Sequence, residues 1–215
     1  MLAKWNKPSA RAGLLGALVA ALVAAAGDEK ARPEVGFVSL FNGKDLAGWK
    51  AEHTDKFSVR DGVIFLGGGL GWLRSEKEYA DFELRLEFRI LKPGSDSGVF
   101  VRATAQSVPA PPHWPTKAYQ VQLADGPTQC VVYAHGAPKP KLVRDEKAVE
   151  KARKPVGQWQ TLALKVAAQR LEVILNGTLA ATTDDLQAPR GHLGLQGEEG
   201  VFEFRNIRIK ESTAK

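Results

Sequence analysis

The ten residues from Asp81 to Ile90 constrain the fold more than any other part of the chain, because Phe82, Leu84, Leu86 and Phe88 alternate with Glu83, Arg85, Glu87 and Arg89. A period of two makes a strand with one core face and one charged face; wound as a helix, the same residues would scatter their apolar groups around the axis. One strand cannot bury its apolar row alone, so partners must follow. In Gly98 to Ala103, Val99 and Val101 oppose Phe100 and Arg102; in Tyr119 to Leu123, Tyr119, Val121 and Leu123 oppose Gln120 and Gln122. Leu162, Leu164 and Val166 repeat the period, and Leu171 to Leu175 runs into Asn176-Gly177, a pair suited to a tight hairpin turn with Leu179 to Thr183 as the return strand. Gly191 to Gln196 and Val201 to Lys210 close the chain. Roughly eleven to thirteen short strands separated by Gly, Pro, Asn and Asp predict an all-β protein, a two-sheet antiparallel jelly-roll sandwich. Strands from the first and last thirds are expected to pair, leaving no open edges between them. One short helix is expected at Asp145 to Arg153.

Ahead of this pattern, Lys4, Lys7 and Arg11 precede an uncharged run from Ala12 to Ala26 that ends in Ala24-Ala25-Ala26. The run is shorter than the roughly 20 residues of a membrane span and carries a small-residue cleavage site, so residues 1–26 read as a secretory signal peptide. No cysteine follows it to carry a lipid anchor. Residues 27–36 then form a linker and 37–212 the sandwich domain, exported to the periplasm or beyond and free of the membrane after cleavage. The net charge of 30 minus 24, or +6, falls to 27 minus 24, or +3, without the leader. The densest cationic stretch, Lys139 to Lys154, mixes in Asp145, Glu146 and Glu150, which reads as a solvated surface and excludes a nucleic-acid footprint. A lone Cys130 between apolar neighbours forms no intrachain disulfide and reads as a buried thiol.

Several familiar chemistries are absent. No G-x-S-x-G elbow occurs, and Gly67-Gly68-Gly69 lacks the Lys-Ser/Thr of a phosphate loop. His53, His113, His135 and His192 are scattered, without the spacing of a zinc site. Asp96 and Asp125 near loop ends offer oxygen ligands, so a divalent metal, calcium or a transition metal, stays open and no cofactor is assigned. Trp49, Trp72 and Trp159 read as packing residues. The Pro-rich segment Thr104 to Lys117 is a long loop of the kind that carries binding residues, with His113 and Trp114 placed to meet a sugar ring.

The alternation also defines a polar face: Glu83, Arg85, Glu87 and Arg89 on one strand, Arg102 on the next, Gln120 and Gln122 on a third. If the strands adjoin, these side chains line one surface, where carboxylates, guanidinium groups and amides suit sugar hydroxyls.

The stretches "FVSLFNGKDLAGWK" (37–50), "FSVRDGVI" (57–64), "SEKEYADFELRLEFRI" (75–90), "SGVFVRA" (97–103), "YQVQLAD" (119–125), "KPVGQWQTLALKV" (154–166) and "RGHLGLQ…VFEFRNIRIKE" (190–211) together resemble the 3-keto-disaccharide hydrolase family. The resemblance implies a concanavalin A-like lectin/glucanase sandwich that is exported and acts on glycosides whose 3-hydroxyl has been oxidised to a ketone. A 3-keto group acidifies the C2 hydrogen, so a base abstracts it, donors hold the enolate, and the glycosidic oxygen leaves by β-elimination before water adds to the enone. The chain departs from the family pattern at two points: Gln120 stands where a glutamate is common, and Gly197-Glu198-Glu199-Gly200 replaces a His-bearing turn. Either Glu198 or Glu199 takes over as base, or only sugar binding remains and the chain is a lectin-like module. On this reading Glu87, Arg102 and Glu198 are the catalytic candidates, while Arg89, Gln120, Gln122, His113, Trp114 and His192 are the substrate-binding candidates. The ligand is a glycoside or oligosaccharide; sugar, linkage and oligomeric state are not legible.

Overall fold

The computed structural model describes residues 34–212; Phe82–Ile90, Gln160–Ala167 and Arg170–Leu175 keep the alternation of core and outer positions, whereas Asp96–Ala103, Ala118–Ala124 and Gly191–Gly197 are buried on both faces. The signal peptide read at 1–26, and most of the linker, lie outside the described residues. In chain order the first strands are β1 (Val38–Ser39), β2 (Trp49–Glu52), β3 (Phe57–Arg60), β4 (Val63–Gly67), β5 (Gly71–Tyr79), β6 (Phe82–Ile90), β7 (Asp96–Ala103) and β8 (Ala118–Ala124). There follow β9 (Val132–His135), β10 (Val143–Arg144), the helix α1 (Glu146–Ala152), β11 (Gln160–Ala167), β12 (Arg170–Leu175), β13 (Thr178–Thr183), β14 (Gly191–Gly197) and β15 (Val201–Glu211). The count exceeds the expected one partly because β1 and β10, of two residues each, are too short to show a period.

Two antiparallel sheets result. The first has nine strands in the order β10-β13-β12-β11-β6-β15-β4-β3, with β1 beside β15; the second has six, β2-β5-β14-β7-β8-β9. As expected, the ends of the chain meet: β15 pairs with β1 and β4, and β14 pairs with β5. Between the sheets, Leu84, Leu86, Phe88, Leu162, Leu164, Phe202 and Phe204 of the first pack with Val99, Val101, Tyr119, Val121, Leu193 and Leu195 of the second. Each fully buried Leu or Phe contributes about 1.5–3 kcal/mol, and this apolar layer is what holds the two sheets together. Helix α1 lies where expected, with the Asp145 carboxylate accepting from Ala148 N at 2.9 Å as N-cap. The Asn176-Gly177 turn joins β12 to β13, both residues at positive φ. Cys130 is buried, and burial pushes its thiol up to about 12, so it carries no thiolate at neutral pH.

Two irregularities position the site. The chain crosses from the first sheet to the second between β6 and β7, so the outward faces of these consecutive strands lie on opposite sides of the sandwich. Near the end of β7 the register with β14 shifts: His192 pairs with Ala103 but Gly194 with Phe100, so two β7 residues, Val101 and Arg102, oppose Leu193 alone. Arg102 sits in the left-handed region at φ 54°. This bulge turns Arg102 inward beside Val101 and returns Ala103 to the outward side with Phe100, Trp72 and Ala118.

Candidate functional site

These irregularities correct the expectation of one shared polar face. Glu87 and Arg89 point outward from the first sheet: Glu87 accepts from Arg205 Nε and Asn206 Nδ2, both at 2.8 Å, and Arg89 Nε donates to Glu203 at 2.8 Å. The guanidinium groups of Arg89 and Arg205 lie 4.7 and 4.1 Å from the Trp159 ring centroid. Gln120 and Gln122 point outward from the second sheet, beyond a core layer about 10 Å thick. No sugar touches both sets. Arg102, inside the sandwich, donates from Nη2 to Asp81 Oδ1 at 3.1 Å and to the Ala168 carbonyl at 3.2 Å, away from both faces.

What the second sheet does assemble is a directional chain of hydrogen bonds. Phe100 of β7 pairs with Gln120 of β8, which in turn pairs with Tyr133 of β9, so Gln120, Gln122, Tyr133 and His135 all face outward beside Gln196 of β14. His135 Nε2 lies 2.7 Å from Gln120 Oε1, which only accepts, so His135 donates from Nε2. Burial lowers the His135 pKa below its ordinary value and keeps the ring neutral near pH 7. The Gln120 amide nitrogen donates to Gln122 Oε1 and, at 2.8 Å, to Gln196 Oε1. With their oxygens so engaged, Gln122 and Gln196 turn their own amide nitrogens outward, Gln122 to Asp96 Oδ1 and Gln196 to Glu198 Oε2 at 2.9 Å. Asp96 and Glu198 are hydrogen-bonded to each other, closing the network. Glutamate at position 120 would offer two acceptors where the network needs a donor, so the amide there sets the polarity of everything that follows.

Two glycines make the arrangement fit. Gln120 must reach across β7 to Gln196, and a Cβ on Gly98 would lie 2.7 Å from its side chain. A Cβ on Gly200 would lie 2.2 Å from the Asp96 carbonyl oxygen, so glycine lets the 197–200 turn settle against the start of β7 and bring Glu198 to Asp96.

The pair is electrostatically strained in a useful direction. Burial first, and the Asp96 charge second, push Glu198 from an ordinary 4.5 up to about 7. Asp96 is also raised, chiefly by burial. Glu198 therefore keeps its proton below about pH 7 and gives it up above, as expected for a carboxyl beside a like charge. Above them the Pro-rich segment is tied down by Trp114, whose Nε1 donates to the Gly197 carbonyl at 3.1 Å and whose ring lies 5.3 Å from His135. The network glutamines are buried, whereas Asp96, Glu198, Trp114 and His135 are half-exposed and Tyr133 is 40% exposed, so these form the rim that a ligand meets.

Of the remaining candidates, His113 stacks on His53 at 4.8 Å within the loop system, and His192 lies beside Arg74 with Nδ1 2.8 Å from the Ser75 carbonyl. Neither reaches the carboxyl pair through the network. Sequence reasoning missed Gln196 and His135 as partners and weighed Asp96 only as a calcium ligand. Gln196 alternates with Leu193 and Leu195 and so was readable; His135 ends a short strand that shows no period. For a divalent metal the donors are thin: among the described residues no group of three His, Cys, Asp or Glu side chains is placed to hold one. No step is therefore drawn through a metal.

Fold and site together define a lectin-like β-sandwich with a carboxyl pair at the end of an amide network on one sheet. The chain belongs to the family of the 3-keto-alpha-glucoside-1,2-lyase-like domain, whose model matches residues 36–210. Among solved structures it is similar to two candidate glycosyl hydrolases of Parabacteroides distasonis. One is 21% identical with a TM-score of 0.62, over 83% of this chain and 94% of that one. The other is 25% identical with a TM-score of 0.61, over 82% and 99%. The carbohydrate-binding module CBM66 of Bacillus subtilis shares the fold at 12% identity and a TM-score of 0.54, over 76% and 96%. No curated protein matches the chain significantly.

Proposed function

We propose that the protein is an exported enzyme that cleaves 3-keto-glycosides by β-elimination, with Glu198 as the base. The observation that carries this is the Glu198–Asp96 pair, whose raised Glu198 pKa of about 7 places a base and its conjugate acid together at neutral pH. Glu198 takes the C2 proton, the enolate electrons expel the glycosidic oxygen, and that oxygen takes the proton back from Glu198. Water then adds across the resulting enone. Gln122, the less deeply buried of the two outer glutamines, keeps one amide N–H beyond the one bonded to Asp96, which supplies a donor for the enolate oxygen. Trp114 and Tyr133 on the rim offer aromatic faces to the sugar. Export rests on Lys4, Lys7, Arg11 and the uncharged run to Ala26, and fits scavenging of polysaccharide fragments.

A second reading, sugar binding without cleavage, draws support from Gln120 in place of the expected glutamate and from the fold shared with CBM66. Incubating the purified protein with an aryl 3-keto-glucoside separates the two. Release of the phenol that exceeds the uncatalysed rate by several orders of magnitude is the expected result. Saturable binding without release leaves the second reading, and neither binding nor release removes both.

A further inference from the structure

We propose that the open end of the sandwich, away from the carboxyl pair, holds a separate site for a small oxyanion, built on Arg102. This inference does not rest on the proposed reaction. Arg102 lies six residues along β7 from Asp96 (102 minus 96), about 20 Å at roughly 3.3 Å per residue. Its side chain is 0% exposed. Only Nη2 is satisfied, by Asp81 and the Ala168 carbonyl; Nε and Nη1 meet no hydrogen-bond partner among the described residues. Asp81 meets the guanidinium through Oδ1 alone, an oxygen that also accepts from Ala168 N at 2.9 Å. A guanidinium buried with two unpaired N–H groups is a costly arrangement that an anion would relieve. Burial accordingly draws the Arg102 pKa below its ordinary value.

Arg102 borders a cavity of about 200 Å³ with Lys117, Tyr119, Gly136, Pro138 and Gln187; its guanidinium lies behind the cavity wall, so a ligand engages it as the side chain turns toward the opening. The Tyr119 hydroxyl accepts from Gln187 N at 3.0 Å, which leaves its own O–H to donate. Lys117 is exposed at the rim. Two cations against the single Asp81 carboxylate leave one positive charge, matched by a monoanion. The volume is below that of a drug-sized pocket, so the ligand is a small oxyanion, either inorganic phosphate or the carboxylate of an acidic sugar.

The test follows the Arg102 Nε–H resonance of the ¹⁵N-labelled protein, assigned by its loss in Arg102→Lys, while phosphate, glucuronate or glucose is added at constant ionic strength. A saturable shift at millimolar phosphate or glucuronate, absent with glucose, is expected. Tyr119→Phe, which keeps the ring, should weaken binding about tenfold, the effect of losing a hydrogen bond to a charged group. Lys117→Ala, on the exposed rim, should weaken it in the same direction with the fold intact. Tighter binding of glucuronate identifies an acidic sugar as the ligand, and tighter binding of phosphate an inorganic anion. The proposal fails if the resonance does not move, moves equally with chloride or glucose, or if both variants bind as the wild type does. If Arg102→Lys does not fold, the resonance is assigned in the wild type by through-bond correlation from the Arg102 backbone amide, and the wild-type titration and the two milder variants decide the matter.

Discussion

Glu198→Gln is expected to lower turnover of a 3-keto-glycoside by at least about a hundredfold, the usual contribution of a general base, while leaving the sandwich folded. The glutamine keeps the shape and can still accept from Gln196, so the loss reads on proton transfer. The same residue sets the pH dependence. As a base Glu198 works when ionised, so kcat/KM of the wild type rises with pH along a limb centred near 7. Asp96→Asn removes the second cause of that shift, after burial, and should move the limb to lower pH without abolishing it. The pair also leaves a stability signature. The folded state holds the Glu198 proton up to about 7 whereas the unfolded chain releases it near 4.5, so the folded form binds more protons in that window. Stability from this group is therefore present below 4.5 and declines as pH rises to about 7, and Glu198→Gln should flatten the decline. Identical pH–stability curves for wild type and variant, or unchanged turnover, would count against the assignment.

Trp72→Ala is expected to destabilise the protein by about 3–5 kcal/mol, read as a lowered urea midpoint at unchanged slope. Trp72 is 0% exposed beneath the Pro-rich segment, edge-on to Phe100 at 5.7 Å, and its Nε1 donates to Ser107 Oγ at 3.0 Å. Truncation opens a cavity under that segment and cuts one of its ties; others include Gly71 N to the Pro112 carbonyl at 3.1 Å, Trp114 to Gly197 and the stacking of His113 on His53. Because Trp114 roofs the amide network, sugar binding should weaken along with stability. Trp72→Phe, which keeps a ring against Phe100, should lose only about 1 kcal/mol for the hydrogen bond plus a part of the packing. Equal effects of Ala and Phe would show that packing of a ring against Phe100 contributes nothing and would contradict this account.

The outward and inward sides of most strands were readable from alternation, since a half-buried strand must alternate whatever its neighbours. Which sheet a strand joins was not. Glu87 and Gln120 look equivalent in sequence, yet β6 pairs with β11 and β15 while β8 pairs with β7 and β9. That choice is made by contacts between distant segments, which a local period does not record. Arg102 was misplaced for a different reason: a bulge at a non-glycine residue of positive φ leaves no mark in composition, and one extra residue reverses every side chain beyond it. Glu198 was found through its departure from the family turn, but its partner Asp96 sits 102 residues earlier (198 minus 96) and is joined to it only by folding. The functional reading of Gln120 also changed. It looked like a lost base, and in the folded protein it is the donor that orients Gln122 and Gln196 toward the carboxyl pair.

The central claim is that the ligand meets the outward face of the second sheet and not that of the first. Each face carries a tryptophan reporter, Trp114 beside His135 on the second sheet and Trp159 between Arg89 and Arg205 on the first. Titrating the Glu198→Gln protein with a 3-keto-disaccharide and following the indole N–H resonances distinguishes them. The account predicts a saturable shift of Trp114, accompanied by the side-chain amides of Gln122 and Gln196, with Trp159 unmoved. A shift of Trp159 with Trp114 and both amides unchanged would contradict it.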